Sequence, residues 1–189
     1  MKNIAIFASG EGTNAEKILE HFRGNKNIRV AIIMSNCADA NVLEKAKKFG
    51  VEYFVFGKND FYESDAVLNK LNSLHLDLIV LAGFLWLIPK KLIESFPKKI
   101  INIHPALLPK HGGKGMYGIK VHESVLANKE NETGITIHYV NEHFDEGKII
   151  FQAKCEVEKN DTAETLADKV HELEHRHYPR IIEDVISNI

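Results

Sequence analysis

Three short runs that are apolar without alternation, Asn3–Ala8, Val30–Met34 and Leu78–Ala82, constrain what this chain can fold into more than anything else in it. A strand with one wet face alternates apolar and polar residues. A strand apolar throughout must be covered on both faces, as central strands of a parallel sheet are. Helical patterns intervene, from about Ala15 to Phe22, Asn41 to Phe49 (ended by Gly50) and Asp60 to Leu74. Shorter strands are expected at Tyr53–Phe56 and Lys99–Ile103. Strand and helix alternating at these lengths predict an α/β fold built on a doubly wound, mainly parallel sheet.

The character changes after Pro109. Gly112, Gly113, Gly115 and Gly118 crowd into seven residues, which predicts an irregular, mobile segment, and a helix follows from about Val121 to Asn128. Gly134–Val140 and Lys148–Val157 read as longer antiparallel strands joined by a turn at Asp145-Glu146-Gly147. A long final helix is expected to start at the Asp161-Thr162 cap, with Glu164 in its first turn. With 189 residues and neither repeat nor low-complexity linker, the chain reads as a single domain, 1–189.

Bulk properties exclude several classes. A formal net charge of −2 without blocks of like charge gives no reason to expect nucleic acid. Cys37 and Cys155 are isolated, so they make neither a disulfide framework nor a zinc site, as suits a reducing cytosol. Ile4–Ala8 is too short for a signal peptide and Leu78–Ile88 too short to span a bilayer, so the expected location is the cytoplasm.

Chemistry is concentrated in Asn102-Ile103-His104-Pro105-Ala106-Leu107-Leu108-Pro109. Residues i and i+2 of a strand share a face, so the Asn102 amide and the His104 imidazole can converge on one spot. The two prolines stiffen the exit from the strand. A carbonyl that becomes an oxyanion needs such a pair of donors; a satisfied histidine at a strand end accounts for the residues equally well. His138–Gly147 brings a carboxylate, Asp145, to a strand–strand turn from which it could reach that imidazole and raise its pKa, although Asp and Gly at this spacing also make an ordinary surface turn.

Ser9-Gly10-Glu11-Gly12-Thr13-Asn14-Ala15 follows a strand and opens a helix, where free N–H groups and the helix dipole favour an anion. Gly10, Gly12 and Ala15 match the dinucleotide fingerprint formally, but the second strand ends Met34-Ser35-Asn36 with no acidic residue to hold a ribose. A phosphomonoester, with Thr13 and Asn14 adding donors, is favoured over a purely structural turn. Leu81–Pro89 holds the only tryptophan in an apolar loop beyond a central strand, suited to a flat heterocycle or to core packing. His171-Glu172-Leu173-Glu174-His175 spells the zinc-protease signature. A third ligand would have to come from the 14 residues after His175, whose only acids are Glu183 and Asp184; Tyr178 stands where the longer pattern has glycine, and Pro179 is expected to interrupt the helix. It is read as a chance match, with no metal.

Together, Ser9–Asn14, Leu81–Phe84, Asn102–Pro109 and Asp145–Gly147 resemble the folate-dependent formyltransferases, over essentially the whole chain. The Gly-Thr-Asn turn and the short chain point within them to the glycinamide ribonucleotide enzymes of purine synthesis. The resemblance implies a Rossmann-like formyltransferase fold, with 1–103 as a phosphate-binding half and 104–189 as a folate-binding and catalytic half. It implies Asn102, His104 and Asp145 as the catalytic trio, and Gly12, Thr13, Asn14 and Glu174 as holders of the ribonucleotide. Leu85, Trp86, Leu87 and Ile88 would meet the pterin of 10-formyltetrahydrofolate, a co-substrate, together with Asn102 and Asp145. Trp86 stands where many members carry arginine, so it would act through backbone or stacking. His171 stands where members have glutamine or lysine, near the phosphate. The partners implied are phosphoribosylglycinamide and the formyl folate, with no nucleic acid and no membrane, and a weak homodimer is the self-association open to it. The rival from another class is a non-catalytic nucleotide-phosphate binding protein, which would not need His104 and Asp145 to meet.

Overall fold

The apolar runs lie at the middle of one seven-stranded sheet in the computed structural model, which describes all 189 residues. The strands are β1 (Lys2–Phe7), β2 (Ile28–Ser35), β3 (Glu52–Val55), β4 (Leu78–Leu81), β5 (Ile100–His104), β6 (Glu132–Tyr139) and β7 (Ile149–Glu156). Their spatial order is β3-β2-β1-β4-β5-β6-β7. β1 to β5 pair in parallel, whereas β5–β6 and β6–β7 are antiparallel. The helices are α1 (Thr13–His21), α2 (Asn41–Phe49), α3 (Ala66–Ser73), α4 (Lys90–Ser95), α5 (Ile119–Ala127) and α6 (Ala163–Ser187).

Both faces of the central strands are covered, as their composition requires. Ile4, Ile6 and Val80 pack on one side with Ile18 of α1, Val42 of α2 and Tyr178 and Ile182 of α6. Ala5, Phe7, Ile79 and Leu81 pack on the other with Phe61, Val67, Leu71 and Leu92. Period-two alternation along β1 thus divides one apolar run between two cores.

Two local expectations are corrected, and one helix had not been anticipated. The helix expected from Asp60 to Leu74 is broken: a single π turn, Asn59–Glu63, ends at an extended Ser64, and α3 starts afresh. Asp60 and Ser64 divert their side chains to the backbone N–H groups of Gly57 and Ala66, the local competition that makes such residues poor in helix interiors. α4 had no counterpart in the pattern; its six residues follow Pro89. Pro179 does not interrupt α6, which runs unbroken from Ala163 to Ser187. A proline inside a helix costs about 3 kcal/mol. Here Tyr178 and Ile182 beside it are fully buried, and the Tyr178 hydroxyl donates to the Leu81 carbonyl at 2.9 Å, so packing outweighs the missing hydrogen bond. The start of α6 is a capping box between Thr162 and Thr165.

Candidate active site

A cleft of about 690 Å³ opens over the carboxyl ends of β1, β4 and β5. In the strand order, the chain passes from β1 outward to β2 and from β4 outward to β5, so the cleft sits where the winding reverses, the usual place for a ligand in an open α/β sheet.

One end is the start of α1. Gly12 takes a left-handed φ of 68°, and a Cβ there would come within 2.5 Å of Val42 Cγ2, so only glycine fits this turn. No side chain caps the helix, and the N–H groups of Thr13, Asn14 and Ala15 make no hydrogen bond within the protein. Asn14 Nδ2 donates to Glu174 Oε2 of α6 at 2.8 Å. Burial pushes the Glu174 carboxyl up from its ordinary value, against the opposing effects of Asn14 and His171. The gathering of Gly12, Thr13, Asn14 and Glu174 joins residues 160 positions apart. His171 is exposed beside them, and its ring stacks on that of His175 at 6.2 Å. No group of three or more His, Cys, Asp or Glu side chains is arranged to hold a metal ion.

The other end is the tip of β5. Its last residue, His104, is 3% exposed. Asp145 carries a left-handed φ of 59° in the turn after β6, which brings its carboxylate back over the strand. Asp145 Oδ2 lies 3.5 Å from His104 Nδ1 and accepts from the Gly113 N–H at 2.9 Å, while Oδ1 lies 3.5 Å from Asn102 Nδ2. One carboxylate therefore faces both members of the Asn102/His104 pair. Burial opposes ionisation of Asp145, but the His138 ring, the His104 ring and the Gly113 N–H together hold its pKa below the ordinary value.

His104 departs from expectation. Asp145 does pull its pKa up, yet burial is the larger effect and the net shift is downward, with the His138 and His111 rings adding to it. His104 Nε2 donates to the backbone oxygen of His111 at 2.8 Å. That residue is itself clasped, its ring bonded to Ser124 at 2.9 Å and lying 3.4 Å from Glu130. The ring is held as a neutral donor rather than a charged one.

Leu85, Trp86, Leu87 and Ile88 line the wall between the two ends. The N–H groups of Trp86, Leu87 and Ile88 make no hydrogen bond within the protein. Trp86 packs among Phe56, Phe61 and Phe84 and stacks on Tyr62 at 5.9 Å, and the Tyr62 hydroxyl donates to the Leu87 carbonyl at 3.0 Å.

Sequence reasoning passed over three residues. His138 stands directly across from Asn102 in the β5–β6 ladder; strand register would have revealed it, but hydrophobic pattern alone does not define register. His122 of α5 lines the cleft with Nδ1 buried and unpartnered, and Tyr62 comes from the unexpected π turn.

Comparison with known proteins places this geometry in context. Residues 2–182 match the family model described as formyl transferase. The chain is 42% identical over 187 residues to the chloroplastic phosphoribosylglycinamide formyltransferase of Arabidopsis thaliana, covering 96% of this chain and 64% of that protein. It is 37% identical to the phosphoribosylglycinamide formyltransferase of Haemophilus influenzae, covering 96% of this chain and 86% of that one. A crystal structure of glycinamide ribonucleotide transformylase 1 from Symbiobacterium toebii superposes with a TM-score of 0.90 at 34% identity, covering 100% of this chain and 89% of the other. The chain spans about three fifths of the length of the two plant relatives it matches, 64% and 60%.

Proposed function

Since the chain belongs to the formyl transferase family, we propose that it transfers the formyl group of 10-formyltetrahydrofolate to the amine of 5'-phosphoribosylglycinamide, a step of de novo purine biosynthesis. The observation that carries this reading is the Asp145 carboxylate within 3.5 Å of both Asn102 Nδ2 and His104 Nδ1, in one cleft with a helix N-terminus whose first N–H groups have no partner within the protein.

The ribonucleotide phosphate sits on the open first turn of α1, held by Gly12, Thr13 and Asn14, with Glu174 beyond it. The pterin lies against Leu85–Ile88, whose free N–H groups suit a flat, polar-edged ring, and against Asn102 and Asp145. The two halves of the chain interleave, since Glu174 reaches the phosphate end and Leu85–Ile88 the folate end. With both substrates bound, the amine attacks the formyl carbon directly and no protein nucleophile is required. A carbon–nitrogen bond forms, the bond to the folate nitrogen breaks, and a proton passes from the amine to that nitrogen.

Asn102 and His104 donate to the tetrahedral oxyanion; one such donor is worth roughly 3 to 4 kcal/mol. His104 does so by exchanging the His111 carbonyl for the substrate oxygen at Nε2. It enters and leaves neutral, and the Asp145 carboxylate assists the proton on its way from the amine to the folate nitrogen through water. No metal takes part in this scheme, and none of the helices is long and apolar enough to cross a membrane. We place the activity in the cytoplasm.

The test follows absorbance as a 10-formyl folate analogue is deformylated, with and without glycinamide ribonucleotide. Turnover that requires the ribonucleotide is expected. Ribonucleotide-independent loss of formyl would make the protein a hydrolase, and no turnover would make it a binding protein.

A further inference from the structure

His138 is a buried imidazole at the catalytic end that the scheme above leaves unused; it is 2% exposed and faces Asn102 across the β5–β6 ladder. Its Nδ1 stands 2.8 Å from the backbone oxygen of Tyr139. Such an oxygen only accepts, so Nδ1 carries the proton. Nε2 is 3.7 Å from Asp145 Oδ1, near enough for the ring to favour that carboxylate's charge but beyond hydrogen-bond reach. Its partner at 3.2 Å is Asn102 Nδ2, an amide nitrogen that can only donate, so Nε2 presents a lone pair to it.

We infer that His138 is a positioning residue: with its proton held on Nδ1, it decides which end of the Asn102 amide is the donor. The two ends of an amide are nearly alike in shape, so sterics alone do not choose between NH₂ and oxygen. The lone pair does. It draws one Nδ2 hydrogen inward and leaves the second toward Asp145 Oδ1, at a long 3.5 Å. A contact that long is weak and can be exchanged for a developing oxyanion, whereas the amide oxygen, an acceptor only, could not serve there. The turn after β6 is packed tightly on this arrangement. A Cβ at Gly147 would collide with the Tyr139 carbonyl and come within 3.3 Å of His138 Nδ1.

The catalytic consequence rests on the proposed formyl transfer; the tautomer and the amide orientation do not. Nitrogen NMR of the ¹⁵N-histidine-labelled protein at neutral pH, without ligands, reads the tautomer directly. The expected result is a protonated Nδ1 and a bare Nε2 at His138; an Nε2–H tautomer or a doubly protonated ring overturns the inference. Kinetics supply a second arm. His138→Leu, which cannot accept a hydrogen bond, should lose about tenfold or more in kcat, with both KM values within about twofold of the parent. His138→Gln, which can accept through its side-chain oxygen, should recover most of the loss. In an Asn102→Ala background, His138→Leu should cost nothing further, and independent, multiplying losses would overturn the inference. Absence of formyl transfer in the parent protein would sink the proposed reaction alone, since the NMR result still decides the tautomer.

Discussion

At the α1 end of the cleft the donors are backbone N–H groups of Thr13, Asn14 and Ala15, and nothing in the protein occupies them. At the β5 end the groups are side chains, each already engaged within the protein: His104 donates to the His111 carbonyl, Asn102 donates to His138, and Asp145 accepts from the Gly113 N–H. The first end is ready for an anion without rearrangement, because the helix backbone fixes its donors whether or not a ligand is present. The second holds its groups in place by mutual bonds that a substrate has to displace. Changes at the β5 end should therefore appear in kcat, and changes at the α1 end in KM for the ribonucleotide.

The sharpest test of that division is His104→Ala. Loss of an oriented donor of this kind lowers kcat by about 10²- to 10³-fold, or roughly 2.7 to 4 kcal/mol. KM for both substrates should stay near the parent value in steady-state kinetics. Wild-type turnover would remove His104 from the chemistry, and a loss confined to KM would erase the contrast between the two ends.

Next in size is an effect on stability at His122, whose surroundings belong to both ends. Burial, with the neighbouring His171 and His104 rings adding to it, pushes its pKa down to about 4 from 6.5. The unfolded chain takes up this proton near 6.5 and the folded chain only near 4, so the folded state binds fewer protons in between. The stabilisation is complete above pH 6.5 and is lost as pH falls toward 4. Its full size is roughly 3 kcal/mol. His122→Leu should flatten the acid limb of stability against pH, measured by denaturant unfolding, by about that amount. An unchanged limb would show that the titration lies elsewhere.

Much of this site was legible because it rests on short-range rules. Asn102 and His104 share a face because they are two apart on a strand, and Gly12 is required by a turn that the strand–helix junction demands. The sign of the His104 shift was not legible. It depends on how deeply the folded chain buries the ring, and a carboxylate can be anticipated from a motif more easily than the desolvation that outweighs it. Nor could His138 be seen, since its role follows from a cross-strand register between β5 and β6. Ser64 and Pro179 were misjudged in opposite senses. At Ser64 local side-chain bonds defeated a helical pattern, and at Pro179 tertiary packing overrode a local breaker.

A smaller change tests the α1 end from its own side. Asn14→Ala removes the donor that faces the buried Glu174 carboxylate. Leaving such a group without a partner costs about 1 to 3 kcal/mol. The change should raise KM for the ribonucleotide by about tenfold, with kcat little altered, and lower the unfolding midpoint. A loss in kcat with KM intact would mean that this end, too, acts on the transition state.

The smallest effect probes whether the wall between the ends belongs to the folate alone. Tyr62→Phe keeps the ring stacked on Trp86 and removes only the hydroxyl that donates to the Leu87 carbonyl. That bond is exposed, so its loss is worth about 0.5 to 1 kcal/mol. The freed carbonyl can turn, and the neighbouring N–H groups proposed to meet the pterin turn with it. KM for the formyl folate should rise by about two- to fivefold, while KM for the ribonucleotide and kcat stay at the parent values. Tyr62→Ala, which also removes the stack on Trp86, should raise the folate KM further. A rise in the ribonucleotide KM would instead join this wall to the α1 end, and the two ends of the cleft would no longer be separable by substrate.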